Sequence, residues 1–325
     1  MGKILIIGGG GMLGQKLATA LGSDGLGQDT APEVTLFDIR FPGNSAPATK
    51  RVTGSMTDPD TIRGLAAERP DTVFHLAAIV SGEAEVNFDL GWQTNMQGFW
   101  TFLEALRSEH LASGGMYRPR VVFTSSIAVF GAPFPAKIDD DFPTAPRTSY
   151  GAQKAISELM LSDVSRKGFV DGISIRLPTI CVRPGMPNKA ASSFFSGIIR
   201  EPLNGQEAVL PVSPDVRHWH ASPRSAVGFL RHAALLDLSR LGNRPALNLP
   251  GVSCTVEEQI EALRSIAGND VIKLIRPEPD AAIARIVEGW PRDFAPERAL
   301  ALGFTADPDF HSIIETYIAE DMPRN

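Results

Sequence analysis

The chain has 325 residues, 43% hydrophobic and 21% charged, which is long enough for one large or two ordinary domains and too apolar for a mainly disordered state. With 31 Lys and Arg against 37 Asp and Glu the formal charge is −6, so no basic excess exists to drive nucleic-acid binding. Two cysteines, Cys181 and Cys254, exclude a disulfide framework and a four-cysteine zinc site, so no metal is expected and a reducing cytoplasm fits. No apolar run reaches the ~18 residues of a membrane span, and the N-terminus has no signal-peptide pattern.

In chain order, short aliphatic runs alternate with helical patterns, the signature of βαβ units and a parallel sheet. Strands are predicted at Lys3–Ile7, Val34–Asp38, Arg51–Gly54, Thr72–Ala78, Arg120–Ser125 and Gly172–Leu177. A helix is predicted over Met12–Leu21. A longer one carries Phe88, Trp92, Met96, Phe99, Leu103 and Leu106 on one apolar face. Another runs from about Tyr150 to Lys167, with Ala152, Ala155, Ile156, Leu159 and Met160 inward. Beyond Leu177 the texture is proline-rich, with helices expected near Ser193–Leu203, Ser222–Leu238 and Thr255–Ala267 and short strands near Ala246–Leu249 and Val271–Ile275. The expected fold class is α/β: a Rossmann-type doubly wound parallel sheet over residues 1–178, then a smaller mixed α/β substrate-binding region over 179–325, with later segments free to return to the first domain.

Gly8, Gly11 and Gly14 stand between the first strand and the first helix, with Met12 and Leu13 opening that helix. Glycines there let the backbone approach a pyrophosphate, and the helix end offers unpaired N–H groups. Asp38, 24 residues past Gly14 at the end of the second strand, can accept both ribose hydroxyls of the adenosine half and repels a 2′-phosphate, which favours NAD over NADP. Arg40 nearby pulls the other way, since an arginine can hold that phosphate.

Tyr150 and Lys154 are one helical turn apart, so phenol and ammonium point at one place. A nearby cation lowers a phenol's pKa, so Tyr150 can take the proton of a substrate hydroxyl while hydride leaves the same carbon. Ser126, 24 residues earlier at a strand end, supplies a hydroxyl donor for the developing carbonyl, with Ser125 the neighbouring alternative.

These residues, together with HLAA at 75–78, Asn95, TSSIAVFG at 124–131 and YGAQK at 150–154, resemble the extended short-chain dehydrogenases/reductases of the NAD-dependent epimerase/dehydratase type. The resemblance implies that His75 to Ala78, Ala77 among them, border the cofactor and that Asn95 supports the loops after the fourth and fifth strands. It implies too that Lys154 also holds the nicotinamide ribose and that Leu177 and Pro178 flank the nicotinamide. The adenine-contacting acid usual after the third strand is replaced by Ser55. Dehydratases of the family carry an acidic pair where Ile127 and Ala128 stand, so that activity is excluded. A nucleotide-sugar epimerase stays open as the alternative, although epimerases usually have Asn where Thr179 stands. The stretches Ile79–Glu83, Arg176–Gly185, Asn188–Phe194, Gly197–Asn204 and Arg217–Arg224 are similar to one branch, the D-erythronate dehydrogenases. That resemblance implies NAD-linked oxidation of a four-carbon sugar acid at C2. Family habit implies a homodimer that pairs through the helix of residues 88–106.

A small sugar acid needs a cation for its carboxylate and partners for its hydroxyls. Arg183 and Arg217 are the candidate cations. Ser81, Thr179, Asn188 and Ser192 are the candidate hydroxyl partners, beside Ser126 and Tyr150.

Overall fold

The computed structural model describes residues 2–27, 32–185 and 191–323. They form two compact units. Unit 1 holds Met1–Val129, Thr148–Arg176 and Val227–Leu247; unit 2 holds Phe130–Arg147, Leu177–Ala226 and Asn248–Asn325.

Unit 1 is built on β1 (Lys3–Ile7), β2 (Glu33–Asp38), β3 (Lys50–Thr53), β4 (Thr72–His75), β5 (Arg120–Ser126) and β6 (Asp171–Leu177). Its helices are α1 (Met12–Asp24), α2 (Pro59–Ala67), α3 (Ser81–Val86), α4 (Phe88–Gly91), α5 (Gly98–Ala112) and α6 (Ser149–Arg166). Unit 2 contributes β7 (Thr179–Ile180), α7 (Ser193–Leu203), β8 (Ala208–Leu210) and β9 (Arg217–Ala221). After them in the chain come α8 (Pro223–Leu235) and β10 (Ala246–Asn248), most of which belong to unit 1, and then, in unit 2, β11 (Val252–Thr255), α9 (Val256–Ala267) and β12 (Ile275–Pro277).

The seven-stranded sheet runs β10-β6-β5-β4-β1-β2-β3. Its first six strands therefore follow the doubly wound 3-2-1-4-5-6 order, whose crevice beyond the strand ends at the reversal point receives dinucleotides. β1 pairs in parallel with β2 on one side and β4 on the other, with Ile4 opposite Val34 and Thr72. A central strand of this kind is covered on both faces, which is why KILII is nearly continuous in apolar residues. Leu5, Ile7, Val73, Val121 and Phe123 of the strands share one core with Phe99, Leu103 and Leu106 of α5 and Leu161 of α6. Unit 2 has its own core, with Phe195, Ile198 and Ile199 of α7, Leu263 of α9, and Ile313 and Tyr317 of the last helix. α9 starts on a capping box between Thr255 and Glu258, which satisfies two donors that a helix end leaves unpaired.

The helical faces depart from the sequence expectation in two places. The predicted helix of 88–106 is broken by a π-helical turn over Trp92–Gln97, and Phe88 is 56% exposed, so the apolar stripe does not run the full length. The wider turn is where Asn95 points inward, 3% exposed. On α6 the buried side is Gly151, Gln153, Lys154, Ser157, Glu158, Leu161 and Val164, whereas Leu159 is 71% exposed. Apolar periodicity misplaced this face because the buried polar groups of α6 bond to neighbouring elements: Gln153 and Ser157 to Asn95, Lys154 to Thr124, Glu158 to Ser125 and Arg176. In addition, β4 ends at His75 rather than Ala78, and the predicted strand at 271–275 is a short helix, Asn269–Ile272, followed by β12. Among the described residues no helix is long and apolar enough to cross a membrane.

Candidate active site

Two positions of the turn from β1 into α1, Gly8 and Gly14, have room for glycine only. Gly8 has φ +88°, and a Cβ there would lie 2.6 Å from the backbone nitrogen of Ala77. A Cβ on Gly14 would lie 2.4 Å from the carbonyl oxygen of Gly8. Gly11 precedes α1, and no side chain caps the N–H groups of the turn that Met12 and Leu13 open. Asp38 stands beside this turn. Its Oδ2 accepts from the Gly10 N–H at 2.9 Å and its Oδ1 from the Ile39 N–H at 2.7 Å. Each carboxylate oxygen keeps acceptor capacity for a ribose hydroxyl. A glycine cradle, an uncapped helix end and an acid at the end of β2 fit the pyrophosphate and ribose of a dinucleotide. Sequence reasoning missed Gln15, whose amide donates to the Gly9 carbonyl at 2.5 Å and whose Oε1 accepts from the Ala46 N–H at 2.6 Å, tying the loop to the segment after β2.

The structure divides the two serines at the end of β5. Ser125 is 2% exposed and donates to Glu158, so its hydroxyl is committed inside unit 1. Ser126 is half-buried, and its hydroxyl accepts from the Ala128 N–H at 3.1 Å, which leaves its proton to offer. Ser126 is thus the serine suited to hold a developing carbonyl oxygen. Lys154 is 2% exposed. Its Nζ donates to the Thr124 carbonyl at 2.7 Å, lies 4.6 Å from the Phe123 ring centre, and lies 5.6 Å from the ring centre of Tyr150. Burial pulls its pKa down to about 7, opposed by the charge of Glu158.

Behind these groups His75 packs its ring 4.5 Å from Phe99 and 5.8 Å from Phe123, centre to centre. Burial, then the charge of Lys154, push its pKa down to about 3, so the ring is neutral core material rather than an acid or base. Ala77 backs the glycine turn, its N–H donating to the Ile7 carbonyl at 3.0 Å. Asn95 clamps the chain leaving β4: its Oδ1 accepts from the Ile79 N–H at 2.7 Å, and its Nδ2 donates to the Ile79 carbonyl at 3.0 Å and to Gln153 at 2.7 Å. Ser81 opens α3, half-buried. Ser55 bonds to Thr57, which leaves no acid at the place of the usual adenine contact.

In unit 2 Leu177 and Pro178 are buried. Arg183 donates through Nε to the Ile180 carbonyl at 2.9 Å and through Nη2 to Ser192 at 3.1 Å, so these two candidates come together. Arg217 donates to the Ser253 carbonyl and pairs with Glu258 at 3.2 Å, a carboxylate partner already within the protein. Asn188 lies outside the described residues. Thr179 has a partner that the sequence did not reveal. The Nδ1 of His218 lies 2.9 Å from the Pro291 carbonyl, which can only accept, so Nδ1 carries the proton. Burial holds the pKa of His218 at about 4, so its Nε2 is an acceptor, and the Thr179 hydroxyl donates to it at 2.7 Å. The Thr179 oxygen is then left as an acceptor for a ligand hydroxyl.

The model of the NAD dependent epimerase/dehydratase family matches residues 4–220. The chain belongs to this family. D-erythronate dehydrogenase of Cupriavidus necator is 47% identical over 324 residues, covering 98% of each chain. D-erythronate dehydrogenase of Haemophilus influenzae is 42% identical, covering 98% of this chain and all of the relative. A crystal structure from Agrobacterium tumefaciens, described as a nucleoside-diphosphate-sugar epimerase, is 53% identical and superposes with TM-score 0.93 over 98% of this chain and 94% of that one. The glycine cradle, Asp38 and the Tyr150–Lys154 turn all lie within the span matched by the NAD-dependent family.

Proposed function

We propose that this chain oxidises D-erythronate at C2 to 2-dehydro-D-erythronate with NAD, unit 1 binding the cofactor and unit 2 supplying substrate recognition. The observation that carries the chemistry is the buried Lys154 ammonium one turn from Tyr150, beside a β5 end at which Ser125 is occupied by Glu158 and Ser126 is not. The substrate is supported by two full-length relatives of that name.

NAD supplies the acceptor for the hydride that leaves C2 with its electron pair. Tyr150 as phenolate takes the proton of the C2 hydroxyl, so the C–H and O–H bonds break as the C=O bond forms. Lys154 keeps the phenolate populated through its charge. Ser126 donates to the oxygen that becomes the carbonyl. Gly8, Gly11 and Gly14, with Met12 and Leu13, cradle the pyrophosphate, and Asp38 holds the adenosine ribose. In unit 2, Arg183 beside Ser192 offers a positive charge to a carboxylate, and Thr179 accepts from a substrate hydroxyl.

Purified protein mixed with NAD and D-erythronate should form NADH in proportion to substrate consumed, followed by absorbance. The likeness to the Agrobacterium protein favours a second reading, a nucleotide-sugar epimerase. That activity would interconvert a nucleotide sugar with no net NADH and would leave D-erythronate untouched. Asp38→Ala should cut the preference for NAD over NADP by about tenfold or more, because the charge that repels the 2′-phosphate is gone. Full survival of the NAD preference in kcat/KM would remove Asp38 as the reader of the ribose.

A further inference from the structure

Glu158 has no place in the proton transfer described above, yet it is a carboxylate only 6% exposed in the middle of unit 1. Its Oε2 accepts from Nη2 of Arg176 at 2.7 Å, and its Oε1 accepts from Nε of Arg176 at 2.9 Å and from the hydroxyl of Ser125. Arg176 itself is 12% exposed on β6. Taking such a pair out of water offsets most of its attraction, so a buried ion pair is weak as a stability device and invites another role. Glu158 stands one helical turn beyond Lys154 on the same face of α6, the spacing at which a carboxylate and an ammonium feel each other. Lys154 in turn donates to a neutral carbonyl, that of Thr124.

We propose that Glu158, clamped by Arg176 and Ser125, is the counter-charge that keeps the buried Lys154 an ammonium, and so is a positioning residue for the proton transfer at Tyr150. The clamp keeps the carboxylate from turning onto the ammonium, so Lys154 stays directed at Thr124. The charge of Glu158 nonetheless opposes the loss of a proton from Lys154 in a place with little water.

Among the described residues, these groups surround Lys154. From α6 they are Tyr150 and Glu158; from β5, the Thr124 carbonyl and the Phe123 ring; from β4, His75; from β6, Arg176 through Glu158. His75 is neutral at any working pH, so it does not titrate with them. Burial lowers the pKa of Lys154 and Glu158 raises it. Removing the Glu158 charge therefore moves the titration to lower pH. The ammonium is then lost earlier as pH rises, and with it the stabilisation of the Tyr150 phenolate.

The proposal rests on the assignment of Tyr150 and Lys154 to proton transfer, so its test uses a readout that needs no substrate. The protein is labelled with 13C at lysine Cε, saturated with NAD, and titrated by NMR. In the wild type one lysine titrates far below the surface ones and disappears in Lys154→Arg. In Glu158→Gln this titration should move down by about half a unit or more, whereas Glu158→Asp, which keeps the charge, should restore it towards the wild-type value. Ser125→Ala removes one of the two bonds to Oε1, leaves that oxygen to Arg176 alone and loosens the clamp, and should move the titration up, which keeps the test decisive if Glu158→Gln does not fold. A Lys154 titration that stays in place in every folded variant would overturn the proposal. Were the titrations to move as expected while D-erythronate is not oxidised, the substrate reading alone would fail.

Discussion

Tyr150→Phe lowers kcat by about 10²- to 10⁴-fold and leaves NAD affinity within a few-fold of the wild type. The change deletes one oxygen, the proposed proton acceptor, and keeps the ring beside Lys154, 5.6 Å from its Nζ. The effect belongs on kcat because the proton moves in the transition state, whereas the ground-state complex loses a single contact. Steady-state kinetics with NAD binding measured in parallel checks this. Turnover within a few-fold of the wild type would remove Tyr150 from the chemistry.

Lys154→Met acts on the same proton and should be at least as damaging. Lys154 and Tyr150 sit close enough to titrate as a pair, so the competent form, phenolate with ammonium, competes with phenol plus amine. Without the ammonium the phenol loses the charge that favours its phenolate, so a smaller fraction of it can act as base at neutral pH. Activity at pH 7 should fall by about 10²-fold or more, and the acid limb of the pH–rate profile should move to higher pH. NAD binding should weaken as well, since the resemblance gives Lys154 a hold on the nicotinamide ribose. The fold is also weakened by about 1–3 kcal/mol, because the Thr124 carbonyl loses its buried donor. A pH–rate profile lowered uniformly, with no shift of its acid limb, would mean that the lysine acts through structure and not through charge.

The sheet was legible because its strands are short apolar runs closed by glycine, acid or serine, and period and punctuation agreed over β1, β2 and β5. Gly8 and Gly14 were legible because only glycine fits at those two places, and Asp38 because an acid closes the next strand, where it holds the Gly10 N–H. The inner face of α6 was not. A helix is read from its apolar residues, and here Leu159 is exposed while Gln153, Lys154 and Glu158 are inside. Glu158 lies four residues past Lys154, a spacing visible in the sequence, but its partners Ser125 and Arg176 come from β5 and β6, and only folding brings them together. The choice between Ser125 and Ser126 was open for the same reason, since it turns on which hydroxyl Glu158 takes. His218 was visible only as part of the RHWH stretch, and its role on Thr179 depends on the Pro291 carbonyl, 73 residues away.

The central claim is that hydride leaves C2 of a small sugar acid for the nicotinamide while Tyr150 takes the hydroxyl proton. D-erythronate deuterated at C2, turned over with NAD, tests it most directly by mass spectrometry of the nucleotide. One deuterium on every reduced nicotinamide formed is the expected result; undeuterated NADH, or deuterium found only in water, would contradict it.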